Sequence, residues 1–325
     1  MAEGGLTVLD GTTLKSISIS LPESQNSITG AELLELADCK ASSSLFGLSL
    51  PETIKSSSLG RINIDDDVNF SCTVLDRDRA SDFLQHYISA ISDQLKDDPL
   101  VVAVLDGKTL NVFFEDEDDF AMLAENLFTD LDVEDKGKIH RKEIRNALIQ
   151  MGVEMGIPPF SEYPLLNDII KKHGADEEGE LGQAQFAQLL QPILQDLANA
   201  LAEKHVVVVQ NIKIANGSKL RKLLADEKQL NNIIEKTRLE MNIGEDGQEM
   251  TDVITVFLQK NGKELGLPPM EANEAAVLLY EAIFADLDKG KNDGKLNKDE
   301  FGILVKDILE KFAEQLEANP ILHDN

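Results

Sequence analysis

Residues 132–143 read DVEDKGKIHRKE and follow LFTDL at 127–131. Oxygen-bearing side chains stand at Asp132, Glu134 and Glu143, with a glycine at 137 and an isoleucine at 139. An acidic, glycine-containing stretch of this kind, preceded by an apolar helix end and closed by a glutamate, reads as a loop joining two helices.

The spacing matches what a hard divalent cation needs. Calcium takes about six to eight oxygens at roughly 2.3–2.6 Å, and the EF-hand supplies them from positions 1, 3, 5, 7, 9 and 12 of one loop. Glycine at position 6 makes the sharp turn, the aliphatic residue at 8 pairs with the partner loop, and glutamate at 12 binds through both oxygens. Asp132, Gly137, Ile139 and Glu143 fall at positions 1, 6, 8 and 12, Glu134 offers a carboxylate at 3, and Lys138 a backbone carbonyl at 7. Lys136 at position 5 replaces an oxygen by a cation, and the loop's four acidic and four basic residues cancel. Weak binding, toward the millimolar end of the range, is the expectation.

Three further stretches fit the same template less well. In GADEEGELGQAQ (174–185), Asp176, Glu178, Gly179 and Leu181 fit, but Gly174 and Gln185 stand at positions 1 and 12, so it reads as the structural partner of the first loop. In NIGEDGQEMTDV (242–253), Asn242, Asp246 and Gly247 remain while Gly244 and Val253 replace ligands. The fourth lies within FADLDKGKNDGKLNKDEF (284–301). Starting it at Asp288 gives thirteen residues, with one inserted near Gly290. Asp293, Gly294, Leu296, Asn297 and Glu300 then occupy positions 5, 6, 8, 9 and 12, and Lys295 gives the carbonyl at 7. Asn292 or a backbone carbonyl fills position 3, and the inserted glycine allows a bulge. This is the best metal candidate of the four. A solvated turn explains one poor match, but not four at alternate junctions of a repeated unit.

The repetition is visible without the loops. DGKTLNVFFEDEDDF from Asp106 maps onto NGSKLRKLLADEKQL from Asn216 with a shift of 110 residues, and the same shift carries GIPPF (156–160) onto GLPPM (266–270). The N-terminal region carries fainter traces: VLDGTTL at Val8 repeats VLDGKTL at Val104, and QLKDDPLV at Gln94 resembles QLEANPIL at Gln315. The organisation expected is a degenerate N-terminal module over 1–98, a first loop pair over 99–206 and a second over 207–325. Apolar stripes predict helices, with Phe83, Tyr87, Ile88, Ile91 and Leu95 on one face, and Leu304, Ile308, Phe312 and Leu316 on another. The β-branched run HVVVVQNIKI from His205 reads as an extended linker or strand, and the Pro-Pro pairs at 158–159 and 268–269 divide each repeat.

Composition narrows the remaining classes. With 59 acidic against 31 basic residues the net charge is −28, which repels nucleic acid and anionic membranes and suits cations or a basic partner. Cys39 and Cys72 have no metal-type spacing, which speaks against a disulfide scaffold and for a reducing compartment. The start lacks the basic and apolar regions of a secretory signal, and no apolar run approaches the roughly 20 residues of a membrane span. A cytoplasmic protein, also able to enter the nucleus, is expected. The five histidines are scattered singly, and no P-loop, HExxH or GxSxG is present, so nothing supports an enzyme.

The sequence VLDGKTL…FFEDEDDF followed by LFTDLDVEDKGKI, GIPP and a second loop resembles a family of plant EF-hand proteins. The two-unit arrangement ending KDILEKFAEQLEANP is similar to calcium sensors that interact with subfamily-two sucrose-non-fermenting-related kinases. The likeness covers about residues 100–325. It implies a mainly α fold of tandem, mostly degenerate EF-hand pairs with short β segments, and a calcium-dependent inhibitor of kinases in abscisic-acid and osmotic-stress signalling. It carries Asp132, Glu143, Asp288, Asp293 and Glu300 over as metal ligands, with Ca2+ at one or two weak sites and Mg2+ as a competitor. In that reading calcium opens an apolar groove, lined by Met270 and the Leu304/Ile308/Phe312 stripe, for a partner helix. A calcium-independent adaptor and a low-affinity cation buffer are the rivals.

Overall fold

Three strands of the chain run into the same kind of turn. The computed structural model describes residues 6–17, 21, 27–64, 67–240, 250–289 and 298–324. Strand β1 (Leu6–Leu9) leads into Asp10-Gly11, and the strand that spans Leu100–Leu105 leads into Asp106-Gly107. The strand Ile212–Ala215 leads into Asn216-Gly217. Each Asx side chain accepts a hydrogen bond from the backbone N–H two residues on, Thr12 at 3.0 Å, Lys108 at 3.1 Å and Ser218 at 3.1 Å. The glycines have φ of +77°, +81° and +74°, a left-handed conformation that glycine adopts without steric cost. Each also lies against the backbone of a long helix, where a Cβ would meet the carbonyl oxygen of Ser92, Ala198 or Ala313 at 2.5, 2.3 or 2.7 Å.

By compactness the chain divides into two units: 1–9, 13–88 and 101–210 form one, and 10–12, 89–100 and 211–325 the other. The first contains β1, β2 (Ser27–Thr29), α1 (Gly30–Ser44), α2 (Glu52–Arg61), α3 (Asp67–Ser71) and β3 (Val74–Asp76). Helix α4 (Arg77–Asp97) follows, and its first three turns belong here. The unit continues with β4 (Leu100–Leu105), α5 (Lys108–Val112), α6 (Glu117–Leu131), β5 (Ile139–His140) and α7 (Glu143–Met151). It closes with α8 (Leu165–Lys172), β6 (Glu180–Leu181), α9 (Gln183–Glu203) and β7 (Val206–Val209).

Strands β1, β4 and β7 form one sheet in that order, with β4 antiparallel to β7 from Val102↔Val209 to Leu105↔Val206. The β-branched run after His205 is therefore strand, as branched side chains suit a pleated surface. Within the unit, α6, α7, α8 and α9 enclose a core around Phe128, Leu148, Ile170 and Phe186. Their apolar residues recur every three or four positions, so each helix hides one stripe. Pro158 and Pro159 lie between α7 and α8, where the missing N–H and fixed φ end a helix at little cost.

The second unit holds β8 (Ile212–Ala215), α10 (Ser218–Ala225), α11 (Glu227–Glu240), α12 (Met250–Leu265), α13 (Glu274–Lys289), α14 (Lys298–Ala318) and β9 (Ile321–Asp324). Strands β8 and β9 pair antiparallel from Ile212↔Asp324 to Ala215↔Ile321. Here α10 is tied on two sides. Lys222 donates to the buried Asp97 carboxylate of α4 at 2.5 Å, and Arg221 forks onto both oxygens of Glu317 of α14 at 2.9 Å. Ile308 and Phe312, expected as groove lining, are fully buried and belong to the core, while Leu304 and Met270 are partly buried at its edge. In this structure the stripe is therefore part of the second unit's core, with only its edge at Leu304 and Met270 reaching the surface.

No helix among the described residues is long and apolar enough to cross a membrane. The chain is thus mainly helical with small antiparallel sheets, as the periodicity implies.

Candidate metal centre

The first two predicted loops face each other through a two-stranded ribbon. Ile139 of β5 pairs with Leu181 of β6, and His140 with Glu180. These aliphatic residues are the position-8 residues of the loops 132–143 and 174–185, and both are buried. Helices α6 and α7 flank the first loop, α8 and α9 the second. Alternation in the ribbon sends Ile139 and Leu181 into the core and leaves charged neighbours outside.

Asp132 caps the C-terminus of α6. Its Oδ1 accepts from the Lys136 N–H at 2.9 Å and its Oδ2 from the Gly137 N–H at 2.6 Å, so the carboxylate folds the loop around itself. Glu134 pairs with the ammonium of Lys136. Lys138 reaches Glu180 of the second loop at 3.5 Å. Glu143 opens α7, and its Oε2 accepts from the Asn146 side chain at 2.6 Å. The structure therefore sets Asp132 and Glu143 at opposite ends of one loop, as the template requires, but engages both Glu134 and Glu143 with neighbouring side chains.

The second loop is tied to the first by charge. Glu178 accepts from Lys142, and its other oxygen lies 3.1 Å from His140 Nε2. The Lys142 N–H donates to His140 Nδ1 at 3.2 Å, which assigns the hydrogen of the ring to Nε2, facing Glu178. The Lys142 ammonium, and after it His140, holds the Glu178 carboxyl below the usual carboxylate range. Arg141 extends its Nε–H to the Gly174 carbonyl at 2.6 Å, while its backbone N–H donates to Gly179 at 2.9 Å.

Tested against calcium, these donors fit poorly. Lys136 brings a positive charge to position 5, Glu178 is already bonded to two cationic or hydrogen-bearing groups, and Gly174 and Gln185 offer no carboxylate. Among the described residues no group of three or more His, Cys, Asp or Glu is arranged to hold a metal ion. In the fourth loop, Asp288 lies in the last turn of α13 and Glu300 in the first turn of α14. Asn292, Asp293 and Lys295 fall outside the described residues, as do residues 242–249 of the third.

Sequence reading missed a third ribbon. β2 and β3 pair antiparallel, Ile28 opposite Leu75, just before α1 and α4. Thr29 and Glu32 form a reciprocal cap at the start of α1, with the Thr29 N–H donating to Glu32 Oε2 at 2.8 Å and the Glu32 N–H to Thr29 Oγ1 at 3.3 Å. Glu32 thus stands four residues after the paired Ile28, as Glu143 does after Ile139 and Gln185 after Leu181. The signal was present in SITGAE (27–32), an aliphatic residue and a Thr-x-x-Glu cap, but the sequence before it, LPESQN (21–26), has neither the first-position aspartate nor the sixth-position glycine of the template.

No protein-family model matches the chain, and neither a curated protein nor a solved structure matches it.

Proposed function

We propose that the chain is a non-enzymatic regulatory protein built from EF-hand-type loop pairs, responding to calcium through the loop 288–300 and acting on a protein partner. The observation that carries this reading is the register Ile139↔Leu181, which joins two acidic loops at their eighth residues between four helices. Paired loops of this kind are mechanically coupled, so a ligand that closes one changes the other. The same order of helices recurs in the second unit, where the loop 288–300 begins in the last turn of α13 and ends in the first turn of α14. Asp288, Asn292, Asp293, the Lys295 carbonyl and Glu300 would hold the ion, Glu300 through both oxygens, and Mg2+ would compete. Asp132, Glu134, the Lys138 carbonyl and Glu143 would form a weaker second site.

The resemblance noted above names the partner, a subfamily-two sucrose-non-fermenting-related kinase, inhibited in the cytoplasm or nucleus. The net charge of −28 suits a basic partner surface. We read the three Asx-glycine turns as marks of three modules, the N-terminal one eroded. A calorimetric calcium titration in physiological magnesium, on the wild type and Glu300→Gln, tests the metal step. Micromolar binding that vanishes in the variant supports the sensor; no heat in either protein rejects it. Kinase capture with calcium and with chelator tests the partner.

A second reading, a calcium-independent adaptor, is favoured by the pairing of Glu178 with Lys142 and His140, which needs no metal. Equal kinase capture in calcium and chelator is its expected result.

A further inference from the structure

The poor fit of the first loop pair to a metal has a positive counterpart in its basic residues. The segment KIHRK (138–142) reaches across the ribbon at five points. Lys138 meets Glu180, His140 and Lys142 meet Glu178, and Arg141 meets Gly174 through its side chain and Gly179 through its backbone. Gly174 directly follows His173, the C-cap of α8, and its carbonyl, which also accepts from the Glu177 N–H at 3.2 Å, lies just past the negative end of that helix. A guanidinium there is favoured by the negative end of the helix dipole. Arg141 Nη2 also lies 3.5 Å from the His173 carbonyl, a long contact that adds direction more than strength.

We infer that Arg141 and Lys142, with the neutral His140 ring donating beside them, form a built-in latch that holds the first loop pair closed without a divalent ion. A metal in such a loop would gather the carboxylate at position 5 and the oxygen at position 1. In loop 174–185 Lys142 takes Glu178, at position 5, and Arg141 takes the Gly174 carbonyl, at position 1. The cations come from the facing loop, so they close the second loop and fasten it to the first in one step. The latch stands on these bonds alone. It rests beside the proposed function: the weaker site of the first loop would then fill without reshaping a pair already closed, and the calcium-driven change would come from loop 288–300.

The test is amide hydrogen exchange on the full chain, read by mass spectrometry over 139–141 and 179–181. In chelator, the wild-type ribbon is expected to be protected, and excess calcium is expected to leave that protection unchanged. Arg141→Met is expected to speed exchange there about tenfold, the scale of one charge-assisted hydrogen bond. Arg141→Lys keeps the charge but not the fork, so an intermediate rate is expected, and it serves if the methionine variant does not fold. A ribbon unprotected in chelator that gains protection with calcium overturns the latch. Wild-type exchange rates in both variants overturn it too. Neither outcome touches the calcium heat that Glu300→Gln removes, so failure of the latch and failure of the sensor reading are separable.

Discussion

Gly107 lies so close to Ala198 that a Cβ on it would sit 2.3 Å from the Ala198 carbonyl oxygen. With φ at +81°, alanine there would meet both a strained backbone and a helix that cannot yield. Gly107→Ala is expected to cost about 2–4 kcal/mol. Gly302→Ala in α14, where nothing lies within 4 Å of the added carbon, is expected to stabilise by about 0.5–1 kcal/mol. Urea unfolding of both variants checks the pair of signs.

Asp97 is 7% exposed, and Lys222 reaches it from α10 with 57% of its own side chain in solvent. Removing the amine leaves a buried carboxylate with fewer partners. Lys222→Met is expected to destabilise by about 1–3 kcal/mol, less than a fully buried pair would cost. Adding Asp97→Asn should recover part of that loss. A double-mutant cycle on unfolding midpoints measures the coupling.

Asp196 of α9 accepts from Lys172 at 2.7 Å and from His173 at 2.8 Å. The Lys172 bond first, then the His173 bond, holds its carboxyl below the usual range. A depressed carboxylate stabilises the fold above its unfolded pKa and loses that contribution as pH falls through the folded value. Asp196→Asn is therefore expected to flatten the acid limb of the stability profile while changing the neutral region less. Denaturant midpoints between mildly and strongly acidic pH read this directly.

All three tyrosines titrate upward on folding. Burial pushes Tyr280 up to about 12, and its hydroxyl donates to the Pro268 carbonyl at 3.0 Å. Burial, with the Asp38 and Glu52 charges, raises Tyr87 further still. The stability tied to a raised phenol is complete below its unfolded pKa and fades as pH climbs toward the folded one. Phenolate absorbance should appear later in the native chain than in the urea-unfolded one. Tyr280→Phe should cost about 1 kcal/mol at neutral pH.

How far the sequence could be read depended on how local each interaction is. The equivalence of Asp106-Gly107 and Asn216-Gly217 was legible because both open segments in one 110-residue register, whereas the Asx turn that each makes was seen only in the structure. The position-8 residues Ile139 and Leu181 were legible because a template spaced them, and the ribbon pairs them. The Lys142–Glu178 pair was not, since 36 residues separate its ends and either charge alone looks like a solvated surface group. Ile28 escaped because only the closing half of a loop precedes α1. Ile308 and Phe312 form a stripe that periodicity finds, but periodicity cannot tell core from groove.

The strand that opens the last repeat, β8, finds its partner β9 only after more than a hundred further residues. During synthesis, therefore, residues 212–215 must wait with their backbone groups unpaired by β9 until residue 324 has left the ribosome. Closing so large a loop is entropically slow, and an apolar strand edge left waiting is open to wrong partners. The last repeat, like β4 awaiting β7 in the first unit, thus passes through a stage in which chaperones would protect it, whatever its ligand does once it has folded.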